Sequence, residues 1–361
     1  MSRRHQWTAA AASIGMFVLA PAIACGQAVT ERKWEVEAHG GLAASTTPAS
    51  GSAAALPAGQ SYPLPIGRQS VSVSSWFFGD GASLLNTVNG TLAPTAKLTP
   101  LDPVIGSAAA SRGSGGAAGV RLTRRFGSRY SAEFSIDYAH TPLTFTQDAL
   151  DGIEASRSSF VNAFTRLFRT GPSANPAVTA TVTMSGRGGS ELLTTGVFGV
   201  DLVTGGKWIP YAVGGGGVVH TGGDGPSAAL VGSYAFPLGT LSAIDETDRV
   251  TIHVAAPANS PVAVFGGGVR YAASPRWGFR GDVRFLAGGG THDVRIDASP
   301  SVVTTSPGLF IATATTPSAA FSSAASVASS LSGPQVTNAR TFSGSGFAVR
   351  TNLTAGVYLR F

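Results

Sequence analysis

Residues 347–361, the end of the chain, alternate between apolar and polar side chains almost without a break. Phe347, Val349, Thr351, Leu353, Ala355, Val357, Leu359 and Phe361 fall on one face of an extended strand, because successive side chains point to opposite sides. Arg350, Asn352, Thr354, Tyr358 and Arg360 fall on the other, with only the small Ala348 and Gly356 among them. A strand of a soluble sandwich turns its apolar face inward and rarely ends on its most aromatic point. Here the chain ends on Phe361, and the polar face carries arginines that need partners. An apolar face toward lipid and a polar face toward an enclosed lumen satisfy both requirements.

Composition points the same way. Only 12% of the 361 residues are charged, and mean hydropathy is +0.19, unusual for a water-soluble chain. Yet beyond the N-terminus no apolar run reaches the roughly 18 to 20 residues that a membrane helix needs. Hydrophobicity spread thinly and alternating along the chain is what membrane strands produce.

The alternating pattern recurs. Trp34, Val36, Ala38 and Leu42 alternate with Glu35, Glu37 and His39. Val120 and Leu122 alternate with Arg121, Thr123 and Arg125, and after a tight connection Ala132, Phe134, Ile136 and Tyr138 alternate with Glu133, Ser135 and Asp137. Two further pairs, 192–203 with 208–219 and 262–272 with 277–287, are joined by short turns at 204–207 and 273–276, a hairpin signal. With the first and last strands this makes eight, each near the roughly 9 to 11 residues of a tilted membrane strand. The predicted fold is an all-β, antiparallel up-and-down transmembrane barrel. The facing of the glycine-rich strands at 192 and 262 is left open by the pattern.

Connections alternate in length: three tight turns, and long loops near 46–116, 141–190, 220–261 and 288–343. Short turns on one side and long extracellular loops on the other are the barrel arrangement. Trp34, Phe126, Tyr130, Trp208, Tyr271, Trp277 and Phe361 beside the tight turns would form the periplasmic aromatic girdle. In the first loop, Trp76, Phe77 and Phe78 would make a contact patch if exposed, or the loop's own small core if buried. In the second, Leu150, Ile153, Phe160, Phe164 and Leu167 fit one face of a helix, with Thr146 or Asp148 as its cap and Gly171 as its end. That helix would lie over the barrel mouth or rest on the outer leaflet. Residues 228–236 and 249–255 fit a hairpin continuing the wall. The fourth loop, 300–346, is rich in Ser, Thr and Ala.

Residues 1–28 have the order of a secretory signal: Arg3 and Arg4, an apolar stretch from Ala9 to Ala20, and small residues permitting cleavage after 24 or 28. Residues 29–361 then form one barrel domain. Cys25, the single cysteine, leaves acylation as an alternative fate and provides no disulfide framework. The formal charge of +6 is dispersed without a Lys/Arg run, which argues against a nucleic-acid partner.

The chain resembles the small bacterial outer-membrane β-barrel superfamily from about Trp34 to Phe361. The last strand is similar to the C-terminal signal of such proteins: Thr354, Gly356, Leu359 and Phe361 stand at its polar, glycine, hydrophobic and aromatic positions, Leu359 in place of the more usual aromatic. The resemblance implies a Gram-negative-type outer membrane, contact with outer-membrane lipid, and the barrel-assembly machinery as a partner of the last strand. It hardly constrains activity, because members include anchors, adhesins, narrow channels and enzymes.

The candidate site is the lumen. Glu35, Glu37, Glu133, Asp137 and Asp282 are expected to face Arg121, Arg125, Arg280, Arg284, Arg350 and Arg360, and an eight-stranded interior is just wide enough for side chains to fill. Arg350 or Arg360 should approach Glu35 or Glu37 where the last strand meets the first. A plug of structural ion pairs is the plainer reading, a gated ion path the other. His39, His140, His220 and His292 lie toward the extracellular strand ends, but no metalloprotease, zinc or serine-hydrolase motif accompanies them. Gly113–Gly119 lacks the Lys and Ser/Thr of a phosphate loop, and Asp224 and Asp245 to Asp248 lack calcium-loop spacing. No catalytic residue, metal or cofactor is expected. The expectation is a non-enzymatic barrel whose loops bind or anchor an envelope or extracellular partner; a narrow channel for small or hydrophobic solutes and a lipid-modifying enzyme are the alternatives.

Overall fold

The computed structural model describes residues 33–46, 61–64, 68–71, 73–92, 96–102, 109–169, 177–186, 188–238, 242–302, 309–311, 319–321, 331 and 335–361. In chain order the principal elements are β1 (Trp34–Ser45), α1 (Gly79–Leu92), β2 (Gly115–Phe126), β3 (Tyr130–Phe145), α2 (Gln147–Arg169), β4 (Ala177–Ser185) and β5 (Gly188–Asp201). They continue with β6 (Trp208–Gly222), β7 (Ser227–Leu238), β8 (Ser242–Ala255), β9 (Asn259–Ala272), β10 (Trp277–Ala298) and β11 (Val336–Arg360). The expected cleavage site, Cys25 and Gly171 lie outside the described residues.

Eight strands close on themselves in the order β9–β6–β5–β3–β2–β1–β11–β10, with β10 returning to β9, every pair antiparallel. The first and last strands zip at the chain end, where the Trp34 and Phe361 backbones exchange hydrogen bonds of 3.0 and 3.2 Å. Closure leaves this wall no free edge, which a membrane demands of a β structure. The expected barrel of eight strands is therefore the observed one.

Alternation fixes which way each side chain points. Leu122, Phe134, Ile136, Phe198, Phe265, Phe279, Leu353 and Val357 stand exposed on the outside, an array that only hydrocarbon would cover. At the tight-turn end Trp34, Phe126, Tyr130, Trp208, Trp277 and Phe361 are exposed around the rim, with Tyr271 packed on Trp208 at 4.7 Å between ring centroids. The turns use glycine where the backbone must turn left-handed: Gly127 (φ 65°), Gly205 (φ 93°) and Gly206 (φ 89°).

Above the wall the loops build a second core. β10 and β11 continue past the membrane, and β8, β7 and β4 add to the side of β10, giving a five-stranded extension. The hairpin expected at 228–255 is thus present as β7–β8. Helix α2, with Thr146 Oγ1 accepting from the Ala149 N–H at 3.3 Å, packs its apolar face against this extension. Phe160 lies against Gly232, the one residue type there that leaves room for its ring. Of the two positions expected for the helix, a seat on the outer leaflet is excluded: Ile153, Phe160, Phe164 and Leu167 are buried by protein.

The same core takes the aromatics of the first loop. Trp76, Phe77 and Phe78 have 0% exposure. Phe77 stacks on Phe160 at 4.9 Å, and Trp76 meets Phe164 edge-on at 5.7 Å. An exposed Trp76–Phe78 contact patch is overturned in this structure, because α2 and the β7–β8 hairpin supply the apolar surface those rings need. They form a core shared among loops that are far apart in sequence.

Candidate functional site

Inward positions from all eight wall strands converge in the lumen, where the charges sort into tiers. Nearest the tight turns, Glu35 accepts from Arg360 at 2.9 Å and lies 3.5 Å from Arg125, whose other nitrogen reaches Asp201 at 2.6 Å; Arg270 also bonds to Asp201. The central tier holds Arg121, Arg280 and Arg284 among Glu37, Glu133 and Asp282. Arg121 contacts Glu37 at 2.8 Å and Glu133 at 3.0 Å; Arg280 contacts Glu133 at 2.8 Å and Glu37 at 3.3 Å; Arg284 bonds to Glu133 and to Asp282 at 3.0 Å. Three cations and three anions, all buried, share one another. Tyr211 donates to Asp282 at 3.0 Å, and its ring lies 4.4 Å beneath the Arg280 guanidinium.

Next come His39 and Asp137, hydrogen-bonded to each other, with Ser135 donating to Asp137 at 2.8 Å. Toward the loops Glu191 takes Arg350 at 2.9 Å and Arg112 at 3.3 Å. Beside these tiers Leu193, Val219, Val262, Val264 and Leu286 form an apolar cluster inside the wall. Paired charges and packed apolar groups together occupy the interior.

Glycine makes the central tier sterically possible. A Cβ on Gly268 would fall 2.7 Å from the Tyr211 hydroxyl and 2.6 Å from Asp282 Cβ. Gly356 faces Glu37 and His39 with equally little room, its Cβ position being 2.8 Å from Glu37 Oε1. The small inward residues of β9 and β11 thus leave space for large charged partners.

Every residue proposed for the charge network lies on the lumen side, but not every expected neighbour meets. Arg360 reaches Glu35 across the β1–β11 seam, whereas Arg350 sits opposite Ser45 and turns to Glu191. Asp201, Arg270, Glu191, Arg112, Tyr211 and His39 complete the network and are absent from the sequence-derived set. Of the rim histidines, His39 belongs to the lumen, His140 and His220 are exposed, and His220 Nδ1 lies 2.9 Å from Asn259 Oδ1. The side chain of His292 lies outside the described residues. Among the described residues no group of three or more His, Cys, Asp or Glu could hold a metal ion. Of the residues matched to the assembly signal, Thr354 faces inward and bonds to Asp282, while Leu359 and Phe361 face outward.

Comparison with known proteins gives a fold-level likeness only. No protein-family model and no curated protein sequence matches the chain. Among solved structures it is similar to the outer membrane protein OprG from Pseudomonas aeruginosa, at 10% identity over 91% of this chain and 97% of that one, with a TM-score of 0.35. It is also similar to the outer membrane protease OmpT from Escherichia coli, at 9% identity over 93% and 99% with a TM-score of 0.25. A third is the toluene transporter TodX of P. putida, at 9% identity over 92% and 91% with a TM-score of 0.19. Likenesses this distant carry no residue roles. The closed antiparallel wall, its apolar exterior and its charged interior give this chain the architecture of the small outer-membrane β-barrels.

Proposed function

We propose that the chain is a non-enzymatic outer-membrane barrel of a Gram-negative-type bacterium, exported through residues 1–28 and inserted by way of its last strand. Its loops would engage an envelope or extracellular partner, with the barrel as their anchor. The observation that carries this reading is the central tier: Arg121, Arg280 and Arg284 locked among Glu37, Glu133 and Asp282. Side chains held by that many opposite charges fill the space through which a solute would move. Buried ions need such partners whatever a protein does, so their pairing favours a plug over a conduction path. The loop domain above the wall, with its own packed core, supports the same assignment of roles.

The test is single-channel recording of the refolded protein in a planar bilayer, after heat-modifiable gel migration has verified folding. A silent membrane is expected. Stable current steps that change when Arg280 or Arg350 is substituted would overturn the plug reading in favour of a narrow channel.

A further inference from the structure

In the roof, the carboxylates of Asp248 and Glu246 lie where solvent does not reach. Asp248, on the inner face of β8, is fully buried with Glu246 two residues before it. Its Oδ2 accepts from Ser75 Oγ at 2.8 Å and from the Trp76 N–H at 2.7 Å, while its Oδ1 is buried without a hydrogen-bond partner. These donors belong to the first loop, so the carboxyl ties that loop to the third-loop hairpin. They carry no charge. An ionised carboxylate held only by neutral donors inside an apolar core is strongly disfavoured.

Among the described residues the surroundings offer little counter-charge. On its own strand Asp248 is accompanied by Glu246, and on β7 by Tyr234, whose hydroxyl donates to Glu246 and accepts from Trp76 Nε1 at 3.2 Å. Helix α2 brings Phe160 over Gly232, the residue paired with Asp248. On the other side of β8 the chain presents Ser299 and Ser301. Among the described residues a nearby cation, Arg340 of β11, lies over the Phe78 ring and pairs with Asp102 at 2.9 Å, with Asp80 also beside it.

We propose that Asp248 is a proton-operated latch: its neutral carboxyl holds the Trp76–Phe78 segment in the loop core, and its ionisation releases those aromatics to the cell exterior. The proposal rests on the extracellular placement of the loops and names a condition under which they would present an apolar contact surface. Burial pushes the Asp248 carboxyl up from 3.8 to about 7, the donors from Ser75, Trp76 and Phe77 opposing the shift in part. Because the folded value is the higher one, the stabilisation is complete below pH about 4 and declines until pH about 7. Acid closes the latch, and neutral to alkaline medium loosens it.

Hydrogen exchange of the 73–78 segment in the full-length refolded protein, normalised to the intrinsic chemical rate at each pH, tests this. The opening equilibrium should rise between pH 4 and 7 by up to about a thousandfold, a factor of ten per pKa unit, then level off. Asp248→Asn should flatten the profile while heat-modifiable migration of the barrel is retained. Uniform protection across this range in the wild type would overturn the proposal, as would an unchanged pH profile in Asp248→Asn. If Asn fails to pack and exchange is fast at every pH, Ser75→Ala decides. Loss of a donor that favours the carboxylate should carry the upper end of the transition to higher pH, and an unmoved transition sinks the latch. Bilayer silence and latch behaviour are independent readouts, so failure of one is distinguishable from failure of the other.

Discussion

Arg360, the penultimate residue, donates from Nε to Glu35 Oε1 at 2.9 Å across the seam that closes the barrel. The two are register partners on β11 and β1. Glu35 also lies 3.5 Å from Arg125 and 3.7 Å from Arg270, so one carboxylate serves three guanidinium groups from three other strands.

Glu35→Ala should therefore destabilise the barrel by about 3 to 5 kcal/mol, the usual cost of stranding buried charge by removing its partner. Urea unfolding in micelles, followed by tryptophan fluorescence, measures it. Glu35→Gln should cost less, since one acceptor oxygen remains. An alanine variant as stable as wild type would show that water reaches this tier freely.

Adjacent glycines of β1 should behave oppositely. A Cβ on Gly41 would fall 1.9 Å from the Leu353 carbonyl oxygen, while one on Gly40 meets its nearest neighbour, the Ala117 oxygen, at 3.6 Å. Gly41→Ala should disturb pairing with β11 and reduce the heat-modifiable, folded fraction on a gel. Gly40→Ala should leave it unchanged. Equal behaviour of the two would contradict this packing of the seam.

The two cores should respond separately. Phe164 is fully buried between Trp76, Phe160, Phe168 and Tyr234 in the roof. Phe164→Ala should cost the loop domain about 3 to 5 kcal/mol and expose it to limited proteolysis. A membrane-protected barrel core fragment should persist, and its loss would mean that wall and roof fold as one cooperative unit.

Removal of Phe361 tests the role assigned to the last strand. The deletion leaves every lumen ion pair untouched, so refolding in detergent should be close to wild type. Recovery in the outer-membrane fraction of cells should fall severalfold. Undiminished recovery would separate this chain from the assembly signal that it resembles.

Much of the wall was legible in the sequence because a strand's two faces meet different solvents, and alternation records that directly. Phe279 to Arg284 show it plainly. Asp201 and Arg270 were hidden by their own strands: Gly266 to Gly268 interrupt the pattern that would have set the facing of Arg270. The roof was harder to read. Its helix is visible in the spacing of Ile153, Phe160, Phe164 and Leu167, but the partners of that face, Trp76 and Tyr234, lie in other loops. No local periodicity encodes such contacts. Asp248 was hidden for the same reason, since a loop acid looks solvated until another loop is laid over it.

Strands β10 and β11 remain paired from Trp277 opposite Leu359 up to Ala298 opposite Val336. The 22 residues of β10 correspond to a contour of roughly 75 Å, about twice what a tilted strand needs to cross a bilayer. Wall and roof are thus joined by an unspliced two-stranded ribbon. A pull on the roof along that ribbon loads its ladder in shear, many backbone bonds at once, and delivers the force to β9 and β1 on either side. The molecule is built as a mast stepped in its keel, so a load applied at the tip is shared at the root among many backbone bonds.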